Sequence, residues 1–349
     1  MEPKPARRQR SALTIHDVAR YAGVSPMTVS RVINGEKNVR DTTREAVNAA
    51  IRDLNYAPNP AARSLAGADL IRLGLLYSNP SSAYLSEFLV GGLDQCSRSN
   101  IQLIVEKCEE GGEQAAAAKL VASGVDGIIL PPPLCDSEAV RRTLAESNTP
   151  AVAVATGKPM AEISAVRIDD FAAAQAMTRH LIELGHRRIG FIRGQPSQTA
   201  SQQRLEGYLA AMAEAGLDTP AELIEQGHFS YRSGMEAAER LLAVTPTPTA
   251  IFASNDDMAA ATVAVAHRRA LDVPRDLTVV GYDDSALATT IWPELTTIHQ
   301  PIADMSREAV TLLSGEIRSR RSGEEPQHRH ALLDFELIRR QSDAAPKGA

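Results

Sequence analysis

The sequence predicts an α/β protein: an N-terminal all-α helix-turn-helix headpiece with a hinge helix, then a larger two-subdomain body with doubly wound parallel sheets. Apolar residues recur at helical spacing up to residue 58, and beyond residue 70 short apolar runs alternate with Ala-rich helical stretches. Residues 1–65 carry eleven Lys and Arg against six Asp and Glu, a net charge of +5, and the remainder carries 26 against 37, a net charge of −11. This division predicts that the headpiece, and not the body, contacts nucleic acid.

The first predicted helix opens at Thr14, and Asp17 stands three residues later as in a capping box. Its inner side is an apolar stripe at i, i+3, i+4 and i+7, formed by Ile15, Val18, Ala19 and Ala22. Gly23, which adopts positive φ at little cost, ends the helix.

A second helix is predicted to begin almost at once, because Ser25 suits an N-cap and Pro26 suits the first helical position. Its inner residues are Val29, Val32 and Ile33, and its outer residues are Met27, Ser30, Arg31 and Asn34. Two short helices joined by a tight Gly turn are typical of the helix-turn-helix, which lays its second helix in the DNA major groove.

A third helix carries Val47, Ala50, Ile51 and Leu54 at helical spacing, and the Pro at 58 closes the segment. The headpiece therefore spans residues 13–58, after an arm over 1–12 that we expect to be disordered. Residues 59–69 are too few to bury an apolar face alone, so they predict a marginal hinge helix and linker.

Short apolar runs without strict alternation predict strands that are buried on both faces. These runs are residues 71–77, 101–105, 127–130, 151–155, 165–168, 189–192, 250–253 and 277–281. Helical stretches lie between them, at 114–123, 172–184, 202–215, 233–242 and 257–270. The alternation predicts two parallel sheets, whose ligands bind just beyond the carboxyl ends of the strands.

Blocks along the whole chain resemble the LacI/GalR family of bacterial transcription regulators. In the headpiece they are Thr-Ile-His-Asp-Val-Ala from Thr14, Ala-Gly-Val-Ser from Ala22, Thr-Val-Ser-Arg-Val-Ile-Asn-Gly from Thr28 and Pro-Asn-Pro-Ala-Ala-Arg-Ser-Leu from Pro58. In the body they are Leu-Gly-His-Arg-Arg-Ile-Gly from Leu184, Ser-Asn-Asp from Ser254, Val-Val-Gly-Tyr-Asp-Asp from Val279 and Leu-Thr-Thr-Ile-His-Gln from Leu295. The resemblance extends to about Arg340.

The resemblance implies a periplasmic-binding-protein-like effector-binding and dimerisation domain over residues 70–342. Its subdomains would be about 70–166 with 298–330, and 167–297 with 331–342. We expect residues 343–349 to be a disordered tail.

The resemblance also implies that the headpiece and hinge bind double-stranded operator DNA. The expected contacts are Thr14, Ser25, Pro26, Met27, Thr28, Ser30, Arg31, Asn34, Arg40, Tyr56, Asn59, Arg63 and Leu65. Pro26 and Met27 have no hydrogen-bonding side chain, so direct readout of bases depends on Arg31, and Leu65 would wedge into the minor groove. Arg40 replaces a more usual Ser, which removes a helix cap but supplies a side chain that could reach the same phosphate.

Polar and aromatic residues at strand ends match the family's effector contacts. They are Ser78, Tyr84, Arg204, Phe229, Asn255, Asp283 and Gln300, with Trp292 as a further candidate at the rim. An Arg fork and an Asp carboxylate both suit adjacent sugar hydroxyls. Ala155 departs from the pattern, because several family members have a polar effector contact there.

Structural roles compete with these assignments. Arg204 could pair with a surface carboxylate, and Asp283 could cap a helix. Tyr84, Trp292 and Ser78 could equally pack in the core or at a rim. The placement of Arg204 and Asp283 at separate strand ends favours an effector role for those two.

Other function classes find little support. The three cysteines, Cys96, Cys108 and Cys135, have no metal-ligand spacing, so we expect buried thiols in a reducing cytosol and no metal or other cofactor. The N-terminus has no apolar segment of a secretory signal, and no run approaches membrane-spanning length, so a cytoplasmic protein without membrane contact is expected. No phosphate loop and no paired nucleophile and base stand out, which argues against an enzyme.

The sequence therefore predicts a ligand-responsive, DNA-binding repressor of a carbohydrate-utilisation operon. It would act as a homodimer on a pseudo-palindromic operator, and no heptads follow the expected last strand, 332–338, to form a tetramerisation tail. The alternative is a purine-responsive, corepressor-dependent repressor of the same family, because Tyr84-Leu85 and residues 298–301 resemble that branch.

Overall fold

A computed structural model describes residues 13–33, 39–54, 56, 70–109, 111–325 and 327–347. The chain divides into two compact units, Met1–Leu70 and Ile71–Ala349. The expected arm over 1–12 and hinge over 59–69 lie outside the described residues.

The first unit contains three helices in its described part: α1 (Ile15–Ala22), α2 (Pro26–Ile33) and α3 (Asp41–Asp53). Asp17 accepts hydrogen bonds from the backbone N–H and the hydroxyl of Thr14, at 2.9 and 2.8 Å, and Gly23 ends α1 with a φ of 67°. The three helices share one apolar core, made of Val18, Ala19, Val29, Val32, Val47, Ala50 and Tyr56. The predicted helix-turn-helix arrangement is therefore present.

The first half of the body alternates β1 (Ile71–Tyr77), α4 (Ser82–Arg98), β2 (Ile101–Lys107), α5 (Glu113–Ala122), β3 (Gly127–Leu130), α6 (Glu138–Glu146), β4 (Ala151–Val154) and β5 (Ser164–Arg167). The second half contains α7 (Asp170–Glu183), β6 (Ile189–Arg193), α8 (Thr199–Glu214), β7 (Ile224–Gln226), α9 (Tyr231–Leu241), β8 (Ala250–Ala253), α10 (Asp256–Arg268) and β9 (Thr278–Val280). It ends with α11 (Ala286–Thr290), β10 (Thr297–His299), α12 (Ile302–Arg321), β11 (His330–Leu332) and β12 (Glu336–Ile338).

Two parallel sheets form the two subdomains. The six-stranded sheet has the order β11-β5-β4-β3-β1-β2, and the four-stranded sheet has the order β7-β6-β8-β9. Helices α4 and α12 pack together on one face of the first sheet, and α5 packs with α6 on the other. In the second sheet, Phe191 and Phe252 enter one apolar cluster, whereas their neighbours Ile192 and Ile251 enter another. Both sheets are therefore doubly wound, as predicted.

The predicted boundary between the subdomains at residue 331 is wrong. Strand β11 pairs in parallel with β5, so Ala331 and Leu332 belong to the first sheet. β12 pairs with β10 in a separate antiparallel ribbon. The chain thus crosses between the subdomains after residue 332, because β11 completes the open edge of β5.

The prediction of a disordered tail is wrong for residues 343–347. The Asp343 carboxylate is fully buried and accepts hydrogen bonds from His180 Nε2 at 2.9 Å, Arg339 Nε at 3.1 Å and the Thr296 hydroxyl. The carbonyl of Ala344 accepts from His186 Nε2 at 2.9 Å. Burial acts to raise the pKa of Asp343, but these donors outweigh burial and lower it.

Candidate functional site

The outer face of α2 carries the residues predicted to read DNA. Met27 is 63% exposed and Arg31 is exposed, whereas Pro26 and Ser30 are half-buried. Ser25 Oγ accepts the backbone N–H of Thr28 at 3.1 Å, which caps the start of the helix. The helix therefore presents one long apolar and one cationic side chain on the side opposite its core.

The remaining predicted DNA contacts divide into three groups. Thr14 and Arg40 are exposed at the starts of α1 and α3, and the Arg40 side chain caps no helix within the described part of the chain. Tyr56 is only 8% exposed and packs in the headpiece core, so its burial favours a structural role over the predicted DNA contact. Asn34, Asn59, Arg63 and Leu65 lie outside the described residues.

A cavity lies in the body between the carboxyl ends of the two sheets, which we call the cleft. Its lining residues are Asn79, Ser81, Tyr84, Pro132, Ala155, Gln198, Ala200, Arg204, Phe229, Asn255, Asp283 and Gln300. The cavity volume is about 30 Å³, room for no more than a few water molecules. The two walls of the cleft therefore lie close together in this structure.

Arg204 lies at the base of this cavity and is 4% exposed. Its Nε donates to Asp170 Oδ1 at 2.8 Å, and its Nη1 donates to the carbonyl of Ser254 at 2.6 Å. The guanidinium carbon is 3.6 Å from the centre of the Tyr282 ring. Burial acts to lower the pKa of Arg204, but the nearby Asp170, Tyr282 and Asp283 together outweigh burial and raise that pKa, so the guanidinium stays charged.

The carboxylate that Arg204 pairs with is thus buried Asp170, and not a surface group. These contacts fix the plane of the guanidinium. These two bonds use Nε and Nη1, and Arg204 also lines the cavity.

Asp283 and Gln300 lie beside Arg204 in the cavity lining. Asp283 Oδ1 accepts from Gln300 Nε2 at 2.8 Å and lies 3.8 Å from Arg204 Nη1. Asp283 lies in the turn after β9 with a φ of 110°, and it lines the cavity. Burial raises the pKa of Asp283 well above its ordinary range, although the Arg204 charge opposes that shift.

Two buried polar atoms in the cavity lining have no hydrogen-bond partner among the described residues. They are the Tyr84 hydroxyl and Gln300 Oε1. Burial raises the pKa of Tyr84, so its hydroxyl keeps its proton and can donate. Buried polar groups are nearly always paired in folded proteins, so these two atoms are the natural partners of polar groups on a ligand.

Phe229 and Asn255 are coupled to each other. The Asn255 side chain caps α10 by accepting from the Met258 N–H at 3.0 Å, and its Nδ2 donates to the Phe229 carbonyl at 3.1 Å. The Phe229 ring lies directly on Gly194, where a Cβ atom would be 1.9 Å from Cζ. Asn255 thus holds the Phe229 backbone, and Gly194 provides the space for a flat apolar wall.

Two predicted effector residues are not in the cavity. Ser78 is half-buried but does not line it, and Trp292 is 75% exposed outside it. The residues that the prediction missed are Asn79, Ser81, Pro132, Gln198 and Ala200. Asn79 and Ser81 lie one and three residues after Ser78, so the rule that sites lie beyond strand ends identified the right loop but the wrong residue in it.

Among the described residues, no helix is both long enough and apolar enough to span a bilayer. Within the same ranges, no group of His, Cys, Asp and Glu is arranged to hold a metal ion.

Comparison with known families gives two matches. Residues 14–59 match the model of bacterial regulatory proteins of the lacI family, and residues 178–342 match a periplasmic binding protein-like domain. The chain is 34% identical to catabolite control protein A of Priestia megaterium, over 86% of this chain and 92% of that protein. It is 36% identical to the HTH-type transcriptional repressor PurR of Escherichia fergusonii, over 90% and 92%.

Solved structures give the same picture. The lac repressor dimer bound to operator and the anti-inducer ONPF matches with a TM-score of 0.83 and 29% identity, covering 96% of this chain and 100% of that one. The complex of the transcriptional regulator CelR with cellobiose matches with a TM-score of 0.72 and 33% identity, covering 95% and 99%.

Proposed function

The chain belongs to the lacI family of bacterial regulatory proteins, which are DNA-binding, effector-responsive transcription regulators and not enzymes, and we propose that its effector is a carbohydrate. The carbohydrate would bind in the cleft cavity and alter the affinity of the headpiece for an operator. The regulated genes would then encode uptake or use of that sugar.

The main support for this proposal is the set of polar groups that line the cavity around Arg204. The cavity offers a fixed cation, the Asp283 carboxyl group and two unpartnered atoms, beside the flat ring of Phe229. Each sugar hydroxyl both donates and accepts, so adjacent hydroxyls can satisfy Arg204, Asp283 and Tyr84 together. The cellobiose that the CelR structure contains is a carbohydrate of this kind.

A purine is the second candidate, and similarity to PurR repressors favours it. The Gln300 amide could pair with one edge of a purine, and Phe229 could stack on its face. Because a purine offers fewer donors than a sugar, it would leave more of the cavity's polar atoms unpaired.

We expect the protein to act as a homodimer on a pseudo-palindromic operator. Val90 and Leu93 are exposed apolar residues on α4, which suits contact with a second copy of the chain. The similar lac repressor structure is a dimer.

Calorimetric titration tests the effector. The full-length protein is titrated with a panel of mono- and disaccharides and with hypoxanthine and guanine. Tyr84→Phe removes only the unpartnered hydroxyl, Asp283→Ala removes the carboxyl group, and Ser78→Ala is the control outside the cavity. Binding of a sugar that both cavity variants weaken and Ser78→Ala leaves unchanged supports the proposal; binding of a purine alone overturns it.

A further inference from the structure

A carboxylate of one subdomain reaches the first turn of α8 in the other. Asp136 Oδ2 accepts the backbone N–H of Thr199 at 2.8 Å, and both carboxylate oxygens accept from the Thr199 hydroxyl at 3.0 Å. The Thr156 hydroxyl donates to Asp136 Oδ1 at 2.8 Å and so orients the carboxylate. We call this contact between Asp136 and Thr199 the cross-cleft cap.

The cross-cleft cap replaces a cap that α8 does not supply itself. Gln198, at the N-cap position, makes no capping hydrogen bond with its side chain in the described structure. Three neighbouring body helices are capped from within their own subdomain, by Ser137 for α6, Asp169 for α7 and Ser230 for α9. The first N–H groups of a helix need an acceptor and favour a negative charge, and Asp136 provides both from across the cleft.

Gly157 brings the subdomains together at the same point. Its N–H donates to the Thr199 hydroxyl at 2.7 Å. A Cβ atom at residue 157 would lie 2.6 Å from the carbonyl carbon and oxygen of Thr199. Because those are backbone atoms, they cannot move aside as a side chain would, and only Gly allows this close approach.

A second contact crosses the cleft at α10. The Ser81 hydroxyl, which also accepts the N–H of Tyr84 in α4, donates to Asp257 Oδ2 at 2.6 Å. Ser81 lines the cavity, as do Gln198 and Ala200, the two neighbours of Thr199 in the chain. Both cross-cleft contacts therefore form only when the two walls of the cavity are brought together.

We propose that Asp136 is a positioning residue that raises effector affinity without contacting the effector. It caps α8, the helix that carries Arg204, only in the closed form of the cleft. Closure around an effector therefore gains the cross-cleft cap, and opening loses it. The effector part of this inference rests on the proposed function; the capping part does not.

Hydrogen exchange tests the capping part without any effector. In full-length protein we compare a peptide covering residues 198–203 in the wild type, Asp136→Ala, Gly157→Ala and Ser137→Ala. Ser137→Ala is the control: Ser137 is next to Asp136 in the chain, but it caps α6, which lies in its own subdomain. Exchange that is faster than in the wild type in Asp136→Ala and Gly157→Ala, but not in Ser137→Ala, supports the cross-cleft cap. Exchange equal to wild type in both, or equally fast in Ser137→Ala, overturns it.

Effector affinity tests the second part, with the sugar found by calorimetry. A helix cap is worth about 1 kcal/mol, so Asp136→Ala and Gly157→Ala should each weaken binding about fivefold. Asp136→Asn keeps an acceptor for the Thr199 N–H and should recover part of the loss, whereas Ser137→Ala should bind as the wild type does. Unchanged affinity in Asp136→Ala, or an equal loss in Ser137→Ala, overturns the positioning role. If no sugar or purine binds the wild type, the proposed function fails and the exchange result still stands.

Discussion

Arg204 Nη1 lies 3.8 Å from Asp283 Oδ1 at the base of the cleft, and Asp283 is only 5% exposed. The two residues come from different parts of the second subdomain, α8 and the turn after β9. Arg204 is also held by Asp170, so the guanidinium faces two acidic side chains in a buried setting. A buried cation beside a carboxyl group is costly unless its hydrogen bonds are completed, and a polyhydroxylated effector can complete them.

Removing Arg204 should destabilise the body strongly. Arg204→Ala leaves the buried Asp170 without its cationic partner, and we expect a loss of about 3–5 kcal/mol in the free energy of unfolding. The double variant Arg204→Ala with Asp170→Asn should recover part of this loss, because the unpaired charge is gone. Urea unfolding followed by circular dichroism measures both, and a loss below about 1 kcal/mol in the single variant would contradict the account.

Asp256 should make stability depend on pH near neutrality. Burial, assisted by the nearby Asp284, raises the pKa of Asp256 to about 7, despite hydrogen bonds from Ser285 and Thr297. Its folded pKa exceeds its unfolded one, so its contribution to stability is complete below about pH 4 and falls as the pH rises toward 7.

The Asp256→Asn variant keeps the shape of the side chain but removes the titrating carboxyl group. The difference in unfolding free energy between wild type and variant should decrease from pH 4 to 7, by at most about 1.4 kcal/mol per pH unit. A difference that stays constant across this range would show that Asp256 does not titrate there.

The tail should contribute to stability through Asp343. Asp343→Ala removes the acceptor of His180, Thr296 and Arg339, and we expect a loss of about 2 kcal/mol. Lys347→Ala breaks only a solvent-screened ion pair with Asp276 and should leave the free energy of unfolding nearly unchanged. Equal melting temperatures for the two variants would argue against a packed tail.

Arg31 should carry most of the direct base readout. Arg31→Ala should weaken binding to a selected operator about 10- to 100-fold, the effect of one bidentate base contact, with a smaller effect on random DNA. Arg232→Ala removes an exposed cation of the body and serves as the control. Fluorescence anisotropy with both duplexes checks this, and an equal loss on both would reduce Arg31 to a phosphate contact.

The sequence predicted the elements whose pattern is local. Helical spacing located α1 to α3, and apolar runs located β1 to β6, β8 and β9. The expected burial on both faces is wrong for β2, an edge strand in which only Ile101 is buried. Strand β7 was missed because its three residues are only partly buried and carry no such run.

Features that depend on pairing between distant segments could not be predicted. The return of residues 330–332 to the first sheet, the burial of Asp343 and the Asp136–Thr199 contact each join residues far apart in sequence. In the cavity, the family resemblance together with position beyond strand ends identified Arg204, Asp283 and Gln300, but neither showed which atoms stay unpaired. Trp292 was predicted to lie at the rim from its residue type alone, and it is exposed outside the cavity.

The most direct test of the central claim measures operator affinity with and without the effector in the same protein. An operator is selected from random duplexes, and its Kd is measured by fluorescence anisotropy for the wild type and Asp283→Ala over a titration of the sugar found by calorimetry. We predict a change of at least about fivefold for the wild type, as allosteric coupling typically gives, and none for Asp283→Ala at the same concentrations. An equal response of both proteins, or no response of the wild type at saturation, would contradict control of DNA binding from this cavity.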